Sequence, residues 1–239
     1  MSNNAPQDEA KIVAGRRAID TYLENGMSIG LGSGTTSYAF VRALGEKVRD
    51  GLEVQGVTTS TITRDIAREV GVPLMDINEV TQLDLTVDGA DEIDRAGRMI
   101  KGGGACLLWE KIVAYTSRRM VAIVDETKLV DPIGAFPLPI EVIPYGWRNT
   151  MHQLAALLTP FGYDKPRLEL RGGSSDPVVT DSGHYIIDCH LEKIMDADGM
   201  APLFNQIPGV VENGLFVGIC DEIVIGRFDG SSEIIKVRG

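Results

Sequence analysis

Apolar residues in the first half of the chain follow two periods, one typical of helices and one typical of strands. Residues 8–23 repeat apolar side chains every three or four positions, which predicts an amphipathic helix that ends at Asn25-Gly26. A short apolar run follows at 27–31, then a glycine turn at 32–34 and a second helical pattern at 35–48. This stretch therefore predicts a helix, a strand, a turn and a helix.

The alternation of strands and helices continues to residue 124. Strands are expected near 52–57, 83–87 and 120–124, and helices near 61–70 and 105–117. Strands that alternate with helices form βαβ units, which build a parallel sheet covered by helices. We therefore predict an α/β fold, namely an open, mostly parallel sheet with flanking helices in a Rossmann-like three-layer arrangement.

The proline content rises after Lys128, with four prolines in a short interval at 132, 137, 139 and 144. Such punctuation often marks a domain boundary. From 138 to 216 the predicted order is strand, helix, two strands, helix and strand, which suggests a small α+β ferredoxin-like domain. We expect a catalytic α/β domain at 1–131 with 208–239, and a small lid or oligomerisation domain at 132–207. The tail beyond Glu222 should add short strands to the first sheet.

The charge and the cysteines restrict the partners and the compartment. Within 239 residues, 23 Lys and Arg stand against 34 Asp and Glu, so the net charge is -11 and repels nucleic acids and anionic membranes. Cys106, Cys189 and Cys220 form no CxxC pair, which argues against a disulfide framework and a zinc site. Neither a signal peptide nor a membrane-spanning run is evident. We expect a cytoplasmic protein that binds neither nucleic acid nor membrane.

A glycine loop between the first predicted strand and the second helix is a candidate anion site. Residues 30–36 read Gly-Leu-Gly-Ser-Gly-Thr-Thr, and a helix N-terminus there offers free N–H groups beside the hydroxyls of Ser33, Thr35 and Thr36. Gly34 lets the backbone come close to a ligand. The spacing fits neither a dinucleotide fingerprint nor a Walker loop. The alternative is a tight turn with an ordinary helix cap.

Two further loops carry groups suited to acid–base chemistry. Asp88-Gly89-Ala90-Asp91 follows a strand, and clustered carboxylates there can hold a proton near neutral pH. Lys101-Gly102-Gly103-Gly104 brings a cation and backbone donors together, as stabilisation of an oxyanion requires. An acidic helix cap and a flexible linker are the respective alternatives.

Glu110 is the candidate general base. It has no basic residue three or four positions away, so a helix salt bridge does not account for it. It shares a helix face with Val113 and Ala114, opposite a stripe of Leu108, Ile112 and Tyr115. A carboxylate among apolar neighbours has the raised basicity that a base needs. A solvated surface glutamate is the alternative.

Two lysines are candidate phosphate partners, although a lysine taken singly is more often a solvated surface residue. Lys128 follows a predicted buried strand, and Lys11 lies in the first helix. His152, His184 and His190 lack metal-ligand spacing, so we expect structural histidines and no metal.

Together these segments resemble the type A family of ribose-5-phosphate isomerases. The resemblance is carried by GLGSGTTS at 30–37, VDGADEID at 87–94, IKGGGACLLWEKIV at 100–113, VDETKLVD at 124–131 and FPLPIEVIP at 136–144. It implies a two-domain α/β fold that interconverts ribose 5-phosphate and ribulose 5-phosphate without a metal or organic cofactor. The order of several separate motifs makes it more specific than any one of them.

The resemblance also implies roles for individual residues. Glu110 would be the proton-transferring base, and Asp88–Asp91 and Lys101–Gly104 would be sugar-binding loops. Ser33–Thr36 with Lys128, and with less support Lys11, would contact the phosphate and the substrate. Leu107-Leu108-Trp109 departs from the family, which usually has polar residues just before the base, so the polarity around Glu110 is open.

The residues fit the implied reaction on chemical grounds. Asp88 or Asp91 would assist ring opening, and Glu110 would take the C2 proton, leaving a cis-enediolate that Lys101 and N–H groups stabilise. Another phosphosugar isomerase, an amino-sugar phosphate deaminase, a noncatalytic sugar-phosphate sensor and a glutamate-dependent acyl-CoA transferase are the alternatives. A homodimer or homotetramer is expected.

Overall fold

The computed structural model describes residues 5–238, which form six α-helices, three short 3-10 helices and thirteen strands. The helices are α1 (Ala5–Tyr22), α2 (Thr35–Arg49), α3 (Thr61–Val70), α4 (Leu107–Thr116), α5 (Trp147–Leu158) and α6 (Ala197–Phe204). The strands are β1 (Met27–Leu31), β2 (Val54–Thr58), β3 (Leu85–Asp88), β4 (Glu92–Ile93), β5 (Met99–Ile100), β6 (Met120–Asp125), β7 (Leu138–Val142), β8 (Arg167–Leu170), β9 (Tyr185–His190), β10 (Val210–Asn213), β11 (Leu215–Phe216), β12 (Glu222–Gly226) and β13 (Ser232–Lys236).

The largest sheet has the strand order β13-β12-β6-β3-β1-β2. Adjacent strands in this sheet pair in parallel, except that β13 runs antiparallel to β12. The prediction of an open, mostly parallel sheet is confirmed, and the tail returns to it as expected. From β1 the chain continues to β2 on one side and later to β3 on the other, so the carboxyl ends of β1 and β3 border a crevice at which such sheets bind ligands.

Helices cover both faces of this sheet. One core packs α1, α2 and α3 against the strands through fully buried side chains such as Phe40, Leu44 and Ala67. Burial of a side chain the size of Phe40 contributes about 1.5–3 kcal/mol. On the opposite face α4 packs through Leu107, Val113 and Ala114. Because the sheet is fixed from both sides, the loops at its carboxyl edge have a rigid base.

A second sheet has the order β10-β7-β9-β8 and is antiparallel throughout. With α5 and α6 its chain order is βαββαβ, which confirms the small ferredoxin-like unit. Its own core includes Leu154, Ile187 and Phe204. A third sheet has the strand order β11-β5-β4. It was not predicted, because strands of two residues show no hydrophobic period.

The end of the small unit differs from the prediction. The pattern at 210–216 predicts one strand, and the predicted small domain ends at residue 207. The structure instead breaks this segment at Gly214, with β10 in the small sheet and β11 in the three-stranded sheet. A Cβ at Gly214 would lie 2.4 Å from the carbonyl oxygen of Lys101, so the crossing brings the backbone of this segment directly against the Lys101 loop.

No helix within residues 5–238 has both the length and the apolar character that crossing a bilayer demands.

Candidate active site

A cavity of about 90 Å3 opens at the carboxyl ends of β1 and β3. Its lining contains thirteen of the fifteen predicted site residues: Ser33, Gly34, Thr35, Thr36, Gly89, Ala90, Asp91, Lys101, Gly102, Gly103, Gly104, Glu110 and Lys128. Wider grooves of about 470, 600 and 610 Å3 occur elsewhere on the described surface, but neither Lys101 nor Glu110 lines them. The chemistry predicted from separate motifs thus converges on one small cavity.

Glu110 lies in the first turn of α4 with only 4% of its surface exposed. The helix turns Ile112 and Tyr115 outward and Leu107 and Val113 inward, so Glu110 lies on the buried face. Its Oε1 is 3.2 Å from Nζ of Lys101, and its Oε2 has no hydrogen-bond partner among residues 5–238. A solvated surface glutamate is therefore ruled out, and one carboxylate oxygen is available to a ligand.

Lys101 is the cation at the centre of the site and is only 2% exposed. Its Nζ donates to the carbonyl oxygen of Gly89 at 2.6 Å and lies 2.9 Å from Oδ2 of Asp88. Burial lowers the pKa of Lys101, but the carboxylates of Asp88 and Glu110 more than offset this and hold it above its usual value. Lys101 is therefore a permanent positive charge.

The environment raises the basicity of Glu110. Burial raises its pKa to about 8; Lys101 opposes the shift, whereas the charges of Asp88 and Asp91 add to it. The single ammonium group of Lys101 contacts both Glu110 and Asp88, so it cannot fully compensate both negative charges. A carboxyl group with such a pKa exchanges protons near neutral pH, as a general base requires.

Asp88 is completely buried beneath the cavity and acts as an anchor for the glycine loop. Its Oδ1 accepts hydrogen bonds from the Ser33 amide at 3.0 Å, the Ser37 hydroxyl at 3.1 Å and the Gly89 amide at 2.7 Å. A Cβ at position 32 would lie 2.0 Å from Oδ1 of Asp88, so only glycine permits this approach.

Asp91 lies at the opening of the cavity and binds the second glycine loop. Its Oδ2 accepts the Gly103 amide hydrogen at 2.8 Å. A Cβ on Gly103 would meet Oδ1 of Asp91 at 2.5 Å, which explains why a side chain is excluded here. Of the two candidate acids, Asp91 lines the cavity and Asp88 does not.

The N-terminus of α2 forms the polar end of the cavity. Gly34 occupies the cap position, and no side chain caps the first N–H groups of the helix. Those groups and the helix dipole favour an anion, and the hydroxyls of Thr35 and Thr36 stand beside them. Lys128 lines the same cavity and forms no ion pair among residues 5–238. This end is suited to a phosphate group.

The hydroxyl of Ser33 faces a buried polar cluster. Its Oγ lies 2.7 Å from Oγ1 of Thr59, 2.8 Å from Oγ of Ser60 and 3.0 Å from Oγ1 of Thr63. Sequence analysis did not find this cluster, because its members come from two segments that only the fold brings together. These hydrogen bonds of the Ser33 hydroxyl hold the first glycine loop in place.

Lys11 and the residues just before Glu110 lie outside the cavity lining. Lys11 pairs with Asp8 at 3.0 Å on α1. The indole N–H of Trp109 donates to Oγ of Ser182 at 2.9 Å, and Leu108 is partly exposed. The departure from the family at 107–109 therefore leaves the cavity's own polar groups in place. Within residues 5–238, no group of three or more His, Cys, Asp and Glu side chains is arranged to hold a metal ion.

The fold is an α/β fold whose cavity holds buried acidic and basic side chains, and comparison with known proteins identifies the family. The profile of the family described as ribose 5-phosphate isomerase A (phosphoriboisomerase A) matches residues 55–230. Ribose-5-phosphate isomerase A 2 of Yersinia pseudotuberculosis is 50% identical over 235 residues, which span 98% of this chain and 99% of that protein.

Solved structures agree. A D-ribose-5-phosphate isomerase in complex with phospho-erythronic acid superposes with a TM-score of 0.87 at 38% identity, covering 95% of this chain and 98% of that one. The ribose 5-phosphate isomerase of Plasmodium falciparum gives 0.89 at 30% identity, with 96% and 98% coverage. The chain belongs to the ribose 5-phosphate isomerase A family and is an isomerase, which confirms the family predicted from its motifs.

Proposed function

We propose that this chain interconverts ribose 5-phosphate and ribulose 5-phosphate through a cis-enediolate, with Glu110 as the proton-transferring base. The observation that carries the proposal is the unpartnered Oε2 of Glu110 beside a cavity that is also lined by the N-terminus of α2 and by Lys128. Names of relatives that are about half identical support the choice of substrate.

The phosphate binds at the start of α2. The free N–H groups there, the hydroxyls of Thr35 and Thr36 and the ammonium group of Lys128 receive its negative charge. The phosphate is distant from the reacting carbons, so its contacts with these groups do not change during proton transfer. Their binding energy serves to orient the substrate over Glu110. Lys11 pairs with Asp8 outside the cavity lining, so we assign it no part in this step.

Ring opening requires a group that exchanges protons with the ring oxygen and the anomeric hydroxyl. Asp91 fits this role better than Asp88, because Asp91 lines the cavity, whereas Oδ1 of Asp88 binds the glycine loop and its Oδ2 lies 2.9 Å from Nζ of Lys101. We assign the acid–base role in ring opening to Asp91 and the anchoring role to Asp88.

Proton transfer then proceeds on the open aldose. The Glu110 carboxylate takes the proton from C2, and the C–H electrons form the C1–C2 double bond while the carbonyl oxygen becomes an oxyanion. Lys101, 3.2 Å from Glu110, and nearby N–H groups stabilise this charge. Protonated Glu110 returns the proton to C1, and the hydroxyl proton of O2 passes to O1, which completes the ketose.

The test is conversion of ribose 5-phosphate in excess EDTA by the wild type and by Glu110→Gln. We expect turnover by the wild type and a fall of about a hundredfold or more in the variant. Glu69→Gln is the matched control, because Glu69 is exposed on α3 and lies outside the cavity lining. Circular dichroism checks that each variant is folded.

Other outcomes separate the alternatives. A folded wild type without turnover would reject the isomerase and favour another phosphosugar, an amino-sugar phosphate or a sensor role. Equal turnover by wild type and Glu110→Gln would keep the reaction and remove Glu110 as its base. The acyl-CoA transferase alternative gives Asp91 and Lys101 no role. Only acyl transfer measured directly with this protein would support it.

A cytoplasmic location and a homodimeric or homotetrameric state are part of the same proposal. All three cysteines are unpaired thiols, which suits a reducing compartment. Tyr115 on α4 is 71% exposed and Ile112 is 46% exposed, and such apolar side chains on one helix face suit an interface between copies. Light scattering coupled to gel filtration measures the assembly state, and a monomer at all concentrations would contradict it.

A further inference from the structure

Arg171 connects the small sheet to the Lys101 loop of the active site. It directly follows β8, and its Nε and Nη2 donate to the two carboxylate oxygens of Asp188 on β9 at 2.8 and 2.6 Å. Its Nη1 donates to the carbonyl oxygens of Gly102 at 2.9 Å and Gly103 at 3.1 Å. The planar guanidinium group is thus fixed on one side by a carboxylate while its other side holds two consecutive carbonyls.

The loop that Arg171 holds has an unusual backbone. Gly102 has a φ of 107° and Ala105 a φ of 59°, and an alanine in the left-handed region persists only where its surroundings enforce it. On the cavity side, Asp91 binds the amide of Gly103 at 2.8 Å. The loop is therefore held by two side chains, Arg171 just after β8 and Asp91 between β3 and β4.

The contact with Arg171 sets the direction of one particular N–H group. A trans peptide unit is planar, so its N–H points opposite to its C=O. The carbonyl of Gly103 faces Arg171, and the N–H of Gly104 in the same peptide unit therefore points away from Arg171. This N–H has no acceptor among residues 5–238, and Gly104 lines the cavity that contains Glu110.

We propose that Arg171 is a positioning residue of the isomerase site: anchored by Asp188, it holds the Gly102 and Gly103 carbonyls so that the Gly104 N–H donates to the enediolate oxygen. This inference rests on the proposed function. A donor fixed in advance stabilises charge as it develops, without reorganisation at the moment of proton transfer. The small sheet thereby contributes to catalysis without placing a side chain on the substrate.

The position of the charge on Arg171 supports a role in geometry over a role in phosphate binding. Its positive charge is neutralised by Asp188 in a bidentate pair. Its side chain does not line the cavity, whereas Lys128 does. Loss of Arg171 should therefore affect the reacting carbons and leave the phosphate end unchanged.

The experiment measures kcat and KM for ribose 5-phosphate in Arg171→Ala, Arg171→Lys and the control Arg167→Ala. Arg167 lies on β8, the strand that Arg171 follows, is exposed and pairs with Glu169. Competitive inhibition by phospho-erythronic acid, whose carboxylate takes the place of the reacting carbonyl, and by inorganic phosphate is measured alongside. Thermal melting and circular dichroism monitor the fold.

In Arg171→Ala we expect kcat to fall on the order of tenfold or more with KM changed by less than about threefold, because a displaced donor acts mainly on the transition state. Inhibition by phospho-erythronic acid should weaken, and inhibition by inorganic phosphate should not. Arg171→Lys should recover part of kcat, since an ammonium group reaches a carbonyl but lacks the fork. Arg167→Ala should match the wild type.

Several results would overturn the inference. A folded Arg171→Ala enzyme with kcat within twofold of wild type would do so, as would a parallel weakening of both inhibitors with a rise in KM, which marks a purely structural role. Where Arg171→Ala fails to fold, Asp188→Asn, which loosens the anchor, must lower kcat in the same selective way. A wild type without turnover would reject the proposed function and this inference together, whereas an active wild type isolates the inference.

Discussion

The ammonium nitrogen of Lys101 lies 3.2 Å from Oε1 of Glu110, and both side chains are almost completely buried. The same nitrogen lies 2.9 Å from Oδ2 of Asp88, so one positive charge is shared by two carboxylates. Burial raises the pKa of Glu110; Lys101 opposes this shift, and the charges of Asp88 and Asp91 add to it. Burial, more than any single neighbouring charge, therefore sets the basicity of Glu110.

The first prediction concerns the pH dependence of the reaction. Protonated Glu110 cannot accept the C2 proton, so kcat/KM should rise with pH through about 8, the raised pKa, and level off above it. Assays between roughly pH 7 and 9.5 begin about one unit above the pKa of the substrate phosphate, which ionises near 6. A flat profile across this range would show that Glu110 is already ionised and contradict the raised pKa.

The second prediction concerns Lys101. In Lys101→Met the nearby positive charge is removed, so the pKa of Glu110 should rise further and the pH at which kcat/KM levels off should move upward. Breaking a buried ion pair by removing one partner also costs about 3–5 kcal/mol of unfolding free energy. Both quantities are accessible, the first from pH–rate profiles and the second from urea denaturation.

Lys111→Met is the control for that experiment. Lys111 is buried one residue after Glu110, but its Nζ binds Oε1 of Glu212 at 2.9 Å and the carbonyl oxygen of Asn213 at 2.6 Å. Its loss should lower stability and leave the pH profile in place. An equal shift of the profile in both variants would show that loss of any nearby buried charge suffices.

The third prediction tests the contact between the first glycine loop and Asp88. A Cβ in Gly32→Ala would lie 2.0 Å from Oδ1 of Asp88, so the loop or the carboxylate must move. We expect a loss of roughly 1–3 kcal/mol in unfolding free energy, as for overpacking, and a fall in turnover. Because Asp88 also binds Lys101, its movement should disturb Glu110 as well.

Gly26→Ala separates steric overlap from backbone strain. Gly26 has a φ of 87°, but a Cβ there meets no atom within 4 Å. Its replacement should cost only about 1 kcal/mol from the left-handed backbone and leave turnover unchanged. If Gly32→Ala is no more damaging than Gly26→Ala, the packing of Asp88 on the loop is not what requires glycine.

Local motifs made much of the site predictable. The glycine loop, the Asp88–Asp91 segment and the Lys101–Gly104 segment each lie at the end of an element whose hydrophobic period is visible in the sequence. The burial of Glu110 was harder to predict from the sequence, because α4 carries apolar residues on both faces: Val113 is buried while Ile112 is exposed. Only packing of the helix on the sheet decides which face is inside.

Contacts between distant segments were beyond sequence analysis. Arg171 reaches Gly102 across 69 positions, and nothing near either residue signals the contact. The three-stranded sheet has strands of two residues, too short for any period, and Gly214 divides what the pattern shows as one strand. In each case the contacting residue or strand is distant in sequence and is brought near only by the tertiary fold. Hydrophobic period and turn residues, which are local patterns, therefore cannot predict the contact.

The fourth prediction concerns a contact of this kind, between Asp181 in the small unit and the start of α3. Oδ2 and Oδ1 of Asp181 accept hydrogen bonds from the amide and the hydroxyl of Thr61 at 2.8 and 2.9 Å. A carboxylate at a helix N-terminus satisfies a free N–H and interacts favourably with the dipole. Asp181→Ala should therefore lower the unfolding free energy by roughly 1 kcal/mol.

Hydrogen exchange distinguishes this local effect from a general one. In Asp181→Ala the Thr61 amide should exchange faster, while amides of β6 should change only as much as global stability does. Asp176→Ala is the control, because Asp176 is exposed in the same connection and its carboxylate forms no hydrogen bond or ion pair among residues 5–238. Unchanged exchange at Thr61 would mean that the two units do not depend on Asp181 for their contact, and Trp109 with Ser182 would be the next pair to examine.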